Sequence, residues 1–318
     1  MDALSDVLRA VRLTGAIFFD IQASDPWVAA TPPGQSIVAT IFPDADHLIP
    51  YHVLTTGTCW GSVDGEPPIE LSAGDVIVFP HGDAHTLSSA PGMQGTPNLS
   101  LYRRPSSGQL PFTLSMGNAH EPASHLVCGY LACDSRPFNP LLAALPRVIH
   151  VASRAGGAIG AFVQFAVAEA REPRPGGEAV LGHLSELMFV DVVRRYLETL
   201  PADRTGWLAA LREPFVGRAL TALHRNPARN WTLDLLAHEV GLSRSSLAER
   251  FTQLVGQPPI QYLASWRMQL AARYLLAGTD SVAAVADRVG YESEAAFSRA
   301  FKKTVGTPPG EWRKGTRG

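Results

Sequence analysis

The sequence predicts an α+β chain: a β-rich N-terminal half, a helical middle, and an all-α C-terminal part built on two helix-turn-helix motifs. Three observations carry this. The first 140 residues hold short apolar stretches cut by Gly, Pro and Asp clusters. Apolar residues at helical spacing take over from 141 to 200. One pattern is written twice, at 233–259 and again at 282–309. The expected boundaries are 1–140, 141–205 and 211–318. At 318 residues, 46% hydrophobic and 18% charged, the composition is globular. No apolar run reaches the roughly 18 residues needed to span a bilayer. The start, Met1 to Asp6, lacks the basic residues of a signal peptide, so the expected compartment is the cytoplasm. The cysteines, Cys59, Cys128 and Cys133, are too few and odd in number for a disulfide framework.

In the β-rich half the strand candidates are Ser36–Phe42, Tyr51–Leu54 and Val76–Phe79. The sharpest local pattern runs from Gly74 to His85: a glycine turn feeds a strand, the strand ends at Pro80, which cannot donate to a ladder, and Gly82 turns the chain towards His85. Gly74, Pro80, Gly82 and His85 resemble the second motif of the cupin superfamily, a double-sheet jelly-roll barrel that often holds a metal among histidines. Ser89 stands where that motif expects asparagine. The first cupin motif is reduced to His52 between Tyr51 and Val53, with Glu66 and Glu70 as forced matches for its glutamate.

The resemblance implies a sensory barrel, and three readings of its site stand side by side. His52, His81 and His85 converge on a divalent metal such as zinc, with Cys128 or Cys59 as a soft fourth donor. Alternatively these histidines hydrogen-bond turns at the barrel rim. In the third reading, apolar residues between the sheets line a pocket for a small organic effector, with the histidines at its rim. Cys128 and Cys133, five residues apart, form a redox pair only if the chain turns back between them. In an extended strand they lie on opposite faces, and packing is the simpler role.

In the middle, Ala155–Ala170 and Glu178–Leu200 have helical periodicity, broken at 171–177. Such apolar helices either pack on the barrel or pair with a second subunit. Pro201–Gly206 is the expected joint.

The C-terminal repeat has a direct physical reading. Leu233, Leu236, Ala237 and Val240 form one helical face running into Gly241; Ser243 caps a second helix that buries Leu247, Phe251 and Val255. In the second copy Gly290 is the turn, Ser293 the cap, and Phe297, Phe301 and Val305 the stripe. A continuous helical pattern from Ile260 to Leu276 joins the copies, long enough at about 1.5 Å per residue to hold two reading helices roughly one DNA turn apart.

Residues 211–313, and above all the segment from Gly290 to Arg313, resemble the DNA-binding domain of the AraC/XylS family of bacterial transcription regulators. The N-terminal half, including 126–130 and 141–146, resembles the cupin-type sensory half of one branch of that family. Charge agrees: 211–318 holds 15 Lys and Arg against 9 Asp and Glu, a net of +6, whereas the other 210 residues carry a net of −8.

The resemblance implies a transcription regulator rather than an enzyme. Its partners would be double-stranded DNA, a second copy of the chain, and RNA polymerase if it activates. The alternative is a metal-dependent cupin enzyme with a helical assembly tail. From helical phase, Ser245, Ala248, Glu249, Glu294, Ala295 and Arg299 face away from the buried stripes and are the expected base readers. Arg244, Arg250, Lys302 and Lys303 are the expected phosphate contacts.

Overall fold

The computed structural model describes residues 2–102, 112–117, 123–152, 158–171, 174–201 and 204–315. In chain order it runs through α1 (Ala3–Ala10), β1 (Thr14–Ala23), β2 (Val28–Thr31), α2 (Val38–Ile41), β3 (His47–Thr56), β4 (Thr58–Val63), β5 (Ile69–Ser72), β6 (Val76–Val78) and β7 (His85–Ser88). Then follow β8 (Phe112–Met116), β9 (Ser124–Cys133), α3 (Pro140–Ala144), β10 (Ile149–Val151), α4 (Ala158–Arg171), α5 (Gly177–Thr199), α6 (Trp207–Arg212) and α7 (Pro214–Arg225). The chain closes with α8 (Leu233–Val240), α9 (Arg244–Val255), α10 (Pro259–Ala277), α11 (Val282–Arg288), α12 (Glu294–Val305) and α13 (Pro309–Gly315).

These elements form two compact units. The first comprises 13–133 and 146–199 and is the cupin-like barrel. One sheet has the order β10-β6-β3-β9-β1-β8 and the other β2-β7-β4-β5. The pairings are antiparallel except for β1 beside β8. Alternate residues of the strands point inward, so Phe19, Ile21, Leu54, Leu71, Ile77, Leu87, Leu126, Cys128 and Tyr130 make one core. Helix α5 buries Leu181, Ser185, Met188, Phe189, Val192 and Val193. It crosses β1 at backbone contact: a Cβ on Gly182 would sit 2.7 Å from the Gly15 carbonyl oxygen, so neither position admits a side chain without displacement. Its other side leaves Leu187 exposed, as is Phe165 on α4.

Two elements depart from expectation. The run Ser36–Phe42 is not a strand: a 3-10 turn over Gly34–Ser36 leads into α2, with Ile41 N–H donating to the Ile37 carbonyl and Phe42 N–H to that of Val38. A continuous apolar run has no period to separate strand from helix, and Pro33 starts the turn here. Within the helical middle, Ile149–Val151 is a strand on the edge beside β6. The start of the first middle helix at 155–157, part of the break at 172–173 and part of the joint at 202–203 lie outside the described residues.

The second unit is helical and comprises 1–12, 134–145 and 200–318. By contact, residues 1–12 and 134–145 thus group with the C-terminal helices. Helix α1 buries Ala3, Leu4, Val7 and Ala10, with α3, α7 and α10 as its neighbours. Segment 134–145 is tied in by polar and aromatic contacts. Asp134 N–H donates to the Val11 carbonyl (2.8 Å), and Arg12 grips the Asp134 carboxylate through Nε (2.7 Å) and Nη2 (2.6 Å). Phe138 N–H donates to buried Gln269 Oε1 (3.0 Å), and the Phe138 ring meets Tyr262 edge-on at 5.4 Å. Helices α4 and α5 and strand β10 group with the sheets. No described helix is long and apolar enough to cross a membrane.

Candidate nucleic-acid interface and barrel cavity

Each half of the repeat folds as its capping residues dictate. Thr232 Oγ1 accepts from Leu235 N–H to start α8, which ends at Gly241 in the left-handed region (φ 75°). Ser243 Oγ accepts from Ser246 N–H (3.2 Å) to start α9, and Leu247 and Phe251 are fully buried beneath it. In the second copy Ser281 caps α11 and Ser293 caps α12 through Ala296 N–H (3.2 Å), with Phe297 and Phe301 fully buried. Val255 and Val305 are only half-buried, at the ends of their stripes.

Gly290 is required twice over. Its φ is 81°, and a Cβ there would meet the Ala228 carbonyl oxygen at 2.5 Å. Arg267 of α10 holds the same turn, donating to the carbonyls of Pro227 (2.7 Å), Arg229 (2.9 Å) and Gly290 (3.2 Å). Its importance was invisible in the sequence, where it is one arginine in an amphipathic helix.

Of the expected base readers, Ser245, Glu249, Glu294, Ala295 and Arg299 are exposed and Ala248 is half-buried. Arg244, Arg250, Lys302 and Lys303 are exposed as well. Arg244 lies 3.6 Å from Asp234 and Arg250 lies 3.4 Å from Glu213. Among the described residues neither Glu249 nor Glu294 has an ion-pair partner. Helix α10, at 19 residues, spans about 28 Å between the two copies.

In the barrel, the structure brings His52 and His85 together and leaves His81 out. His52 Nε2 and His85 Nε2 are 2.7 Å apart, both rings are buried, and Phe79 stacks on His85 at 3.7 Å. His81 is exposed. Among the described residues no group of three or more His, Cys, Asp or Glu side chains is placed to hold a metal ion. The donor set does not fit a zinc centre, since two of the three imidazoles spend a ring nitrogen on each other.

His52 also lines a cavity of about 100 Å³ between the sheets, together with Phe19, Ile21, Leu87, Cys128 and Tyr130. Thr31 and Tyr102 are further walls, and Tyr102 shares hydrogen bonds with Tyr130 and Thr31. Exposed Thr96 and Asn98 mark where the cavity reaches the surface. Sequence reading missed Thr31, Tyr102 and Tyr130; the signal for the last was its i, i+2 spacing from Cys128 on one strand face.

Burial pushes the Cys128 thiol well above its usual range, with Cys59 and Asp20 adding to the effect, and pushes Cys59 up to about 12. Both thiols are free and belong to the same core; Cys133, also buried, lies outside it.

The family profile described as Cupin matches residues 2–198 and that described as Helix-turn-helix domain matches 236–315. A putative AraC-like transcription regulator from Streptomyces lividans is 35% identical over 99% of this chain and 98% of its own length. One from Streptomyces antibioticus is 34% identical over 99% of both. Among solved structures, the DNA-binding domain of AdpA, a global transcriptional factor in complex with a target DNA, is 30% identical with a TM-score of 0.31, over 33% of this chain and 93% of that one. A cupin barrel carried on one chain with paired, serine-capped reading helices defines a DNA-binding transcription regulator. The chain belongs to the AraC-like family of such regulators.

Proposed function

We propose that α9 and α12 enter successive major grooves with their N-terminal turns leading, and that the regulator responds to a small organic effector held in the barrel cavity. Ser245, Ala248 and Glu249 read one half of the site and Glu294, Ala295 and Arg299 the other. Arg244, Arg250, Lys302 and Lys303 grip phosphates and set register. The observation that carries the reading is the outward face of each reading helix. Glu249 and Glu294 stand there exposed and unpaired, positions where a carboxylate near phosphates is repelled unless a cytosine amino group donates to it. Arg299 on the same face suits guanine, whose O6 and N7 a guanidinium takes together.

Selection of binding sites from random DNA tests this. Arg299→Ala is expected to lose discrimination of about 1–3 kcal/mol at one guanine, and Glu294→Ala to relax preference at one neighbouring base pair. Uniform weakening with unchanged preference in both variants would remove these side chains from the list of base readers.

A further inference from the structure

The hydrogen bonds around His52 determine which of its atoms is left for a ligand. His85 Nδ1 lies 2.8 Å from the Asp83 carbonyl oxygen, which only accepts, so Nδ1 carries the His85 proton. The Nε2 of a neutral His85 is then bare. His52 Nε2, 2.7 Å away, must therefore be the donor of that pair. It follows that Nδ1 of a neutral His52 is a bare acceptor, and this atom is buried without a hydrogen-bond partner in a side chain that walls the cavity. An unsatisfied acceptor in an apolar interior costs free energy that a bound donor would recover.

The rest of the lining narrows the ligand further. Among the described lining residues there is no Asp, Glu, Lys or Arg, so an ion entering this space would lose its hydration without a counter-charge. The volume, about 100 Å³, is below the roughly 150 Å³ of a dry cavity that binds benzene, so it limits the ligand to at most a single small ring. Aromatic and aliphatic walls from Phe19, Ile21, Leu87 and Tyr130 supply the apolar contact.

We infer that the barrel cavity takes an uncharged, ring-sized apolar ligand with one hydrogen-bond donor, an alcohol or a phenol, whose hydrogen is received by His52 Nδ1. This rests on the proposed effector role of the same cavity and adds the chemical class and the recognising atom. The pair of histidines acts as a tautomer relay: the Asp83 carbonyl fixes His85, His85 fixes His52, and His52 presents a lone pair rather than a proton.

The test uses the full chain with three probes of similar size: phenol, toluene without the donor, and benzoate with a charge. Calorimetric titration is expected to show that His52→Leu weakens phenol about tenfold while leaving toluene within about twofold. Benzoate is expected to bind at least tenfold more weakly than phenol. Because His52→Leu disturbs a core position, wild-type protein with 15N-labelled histidine supplies a second readout. The Nδ1 resonance of His52 should lie in the range of an unprotonated ring nitrogen and shift on adding phenol but not toluene. Equal loss of phenol and toluene, preference for benzoate, or a protonated Nδ1 overturns the ligand class while leaving the cavity as an effector site. Failure of all three probes to bind removes the effector reading itself.

Discussion

At the scale of single residues, the two buried histidines make the barrel sensitive to acid. Burial pushes His85 down from its ordinary 6.5 to about 4, against the opposing pull of the Asp83 carbonyl and charge. Burial and the neighbouring His85 push His52 well below 6.5. Lowered values mean that the unfolded chain takes up protons first as pH falls. Stability is therefore complete above about pH 6.5 and is lost progressively down to about pH 4, on the order of 3 kcal/mol from His85 alone. Hydrogen exchange of β3 and β7 amides at pH 7 and pH 5 should show this as faster opening at the lower pH, and His85→Gln should flatten the dependence. A barrel whose β3 and β7 protection is the same at both pH values would contradict the buried neutral pair. His85 was legible in the sequence because proline and glycine fix the turn that delivers it. The hydroxyls facing the cavity were not legible, since Thr31 and Tyr102 arrive from segments far apart in sequence and only the assembled sheets bring them together.

At the scale of elements, what could be read in advance divides by the range of the forces involved. The helix-turn-helices were legible because periodicity, serine caps and glycine turns act within a few residues of one another. Helix α2 and strand β10 were not, being short apolar runs whose state is decided by what they pack on. Least legible of all was the placing of α1 and 134–145, which lie within a stretch that reads as barrel and yet complete the helical unit's core. That placement has a measurable consequence. Phe138→Ala removes the edge-on contact with Tyr262 and loosens the backbone hydrogen bond to Gln269, whose side chain is 1% exposed. The expected loss is about 1–2 kcal/mol, since Phe138 is only half-buried. Hydrogen exchange locates it: protection should fall in α6 and α10 and stay unchanged in β3 and β9. A loss confined to the sheet amides would return 134–145 to the barrel.

At the scale of the whole molecule, a net charge of −2 conceals +6 in residues 211–318 and −8 in the rest, so attraction to DNA must come from a few cations on one unit. Four are exposed beside the reading positions: Arg244, Arg250, Lys302 and Lys303. If all four neutralise phosphates, the logarithm of the binding constant should fall with the logarithm of salt concentration at a slope of about −3.6, because each contact releases about 0.9 counterion. The four are not equivalent. Arg244 and Arg250 share their charge with exposed Asp234 and half-buried Glu213 at 3.6 and 3.4 Å, and such solvent-facing pairs are worth little in water but must still be loosened or shared on binding. Lys302 and Lys303 belong to no ion pair among the described residues, so each contributes its full counterion. Lys302→Ala with Lys303→Ala should thus lower the slope's magnitude by about 1.8 and weaken binding equally on all sequences. A fluorescence-anisotropy salt series on specific and scrambled DNA measures both effects. An unchanged slope, or a change of sequence preference in the double lysine variant, would take these residues off the phosphate backbone.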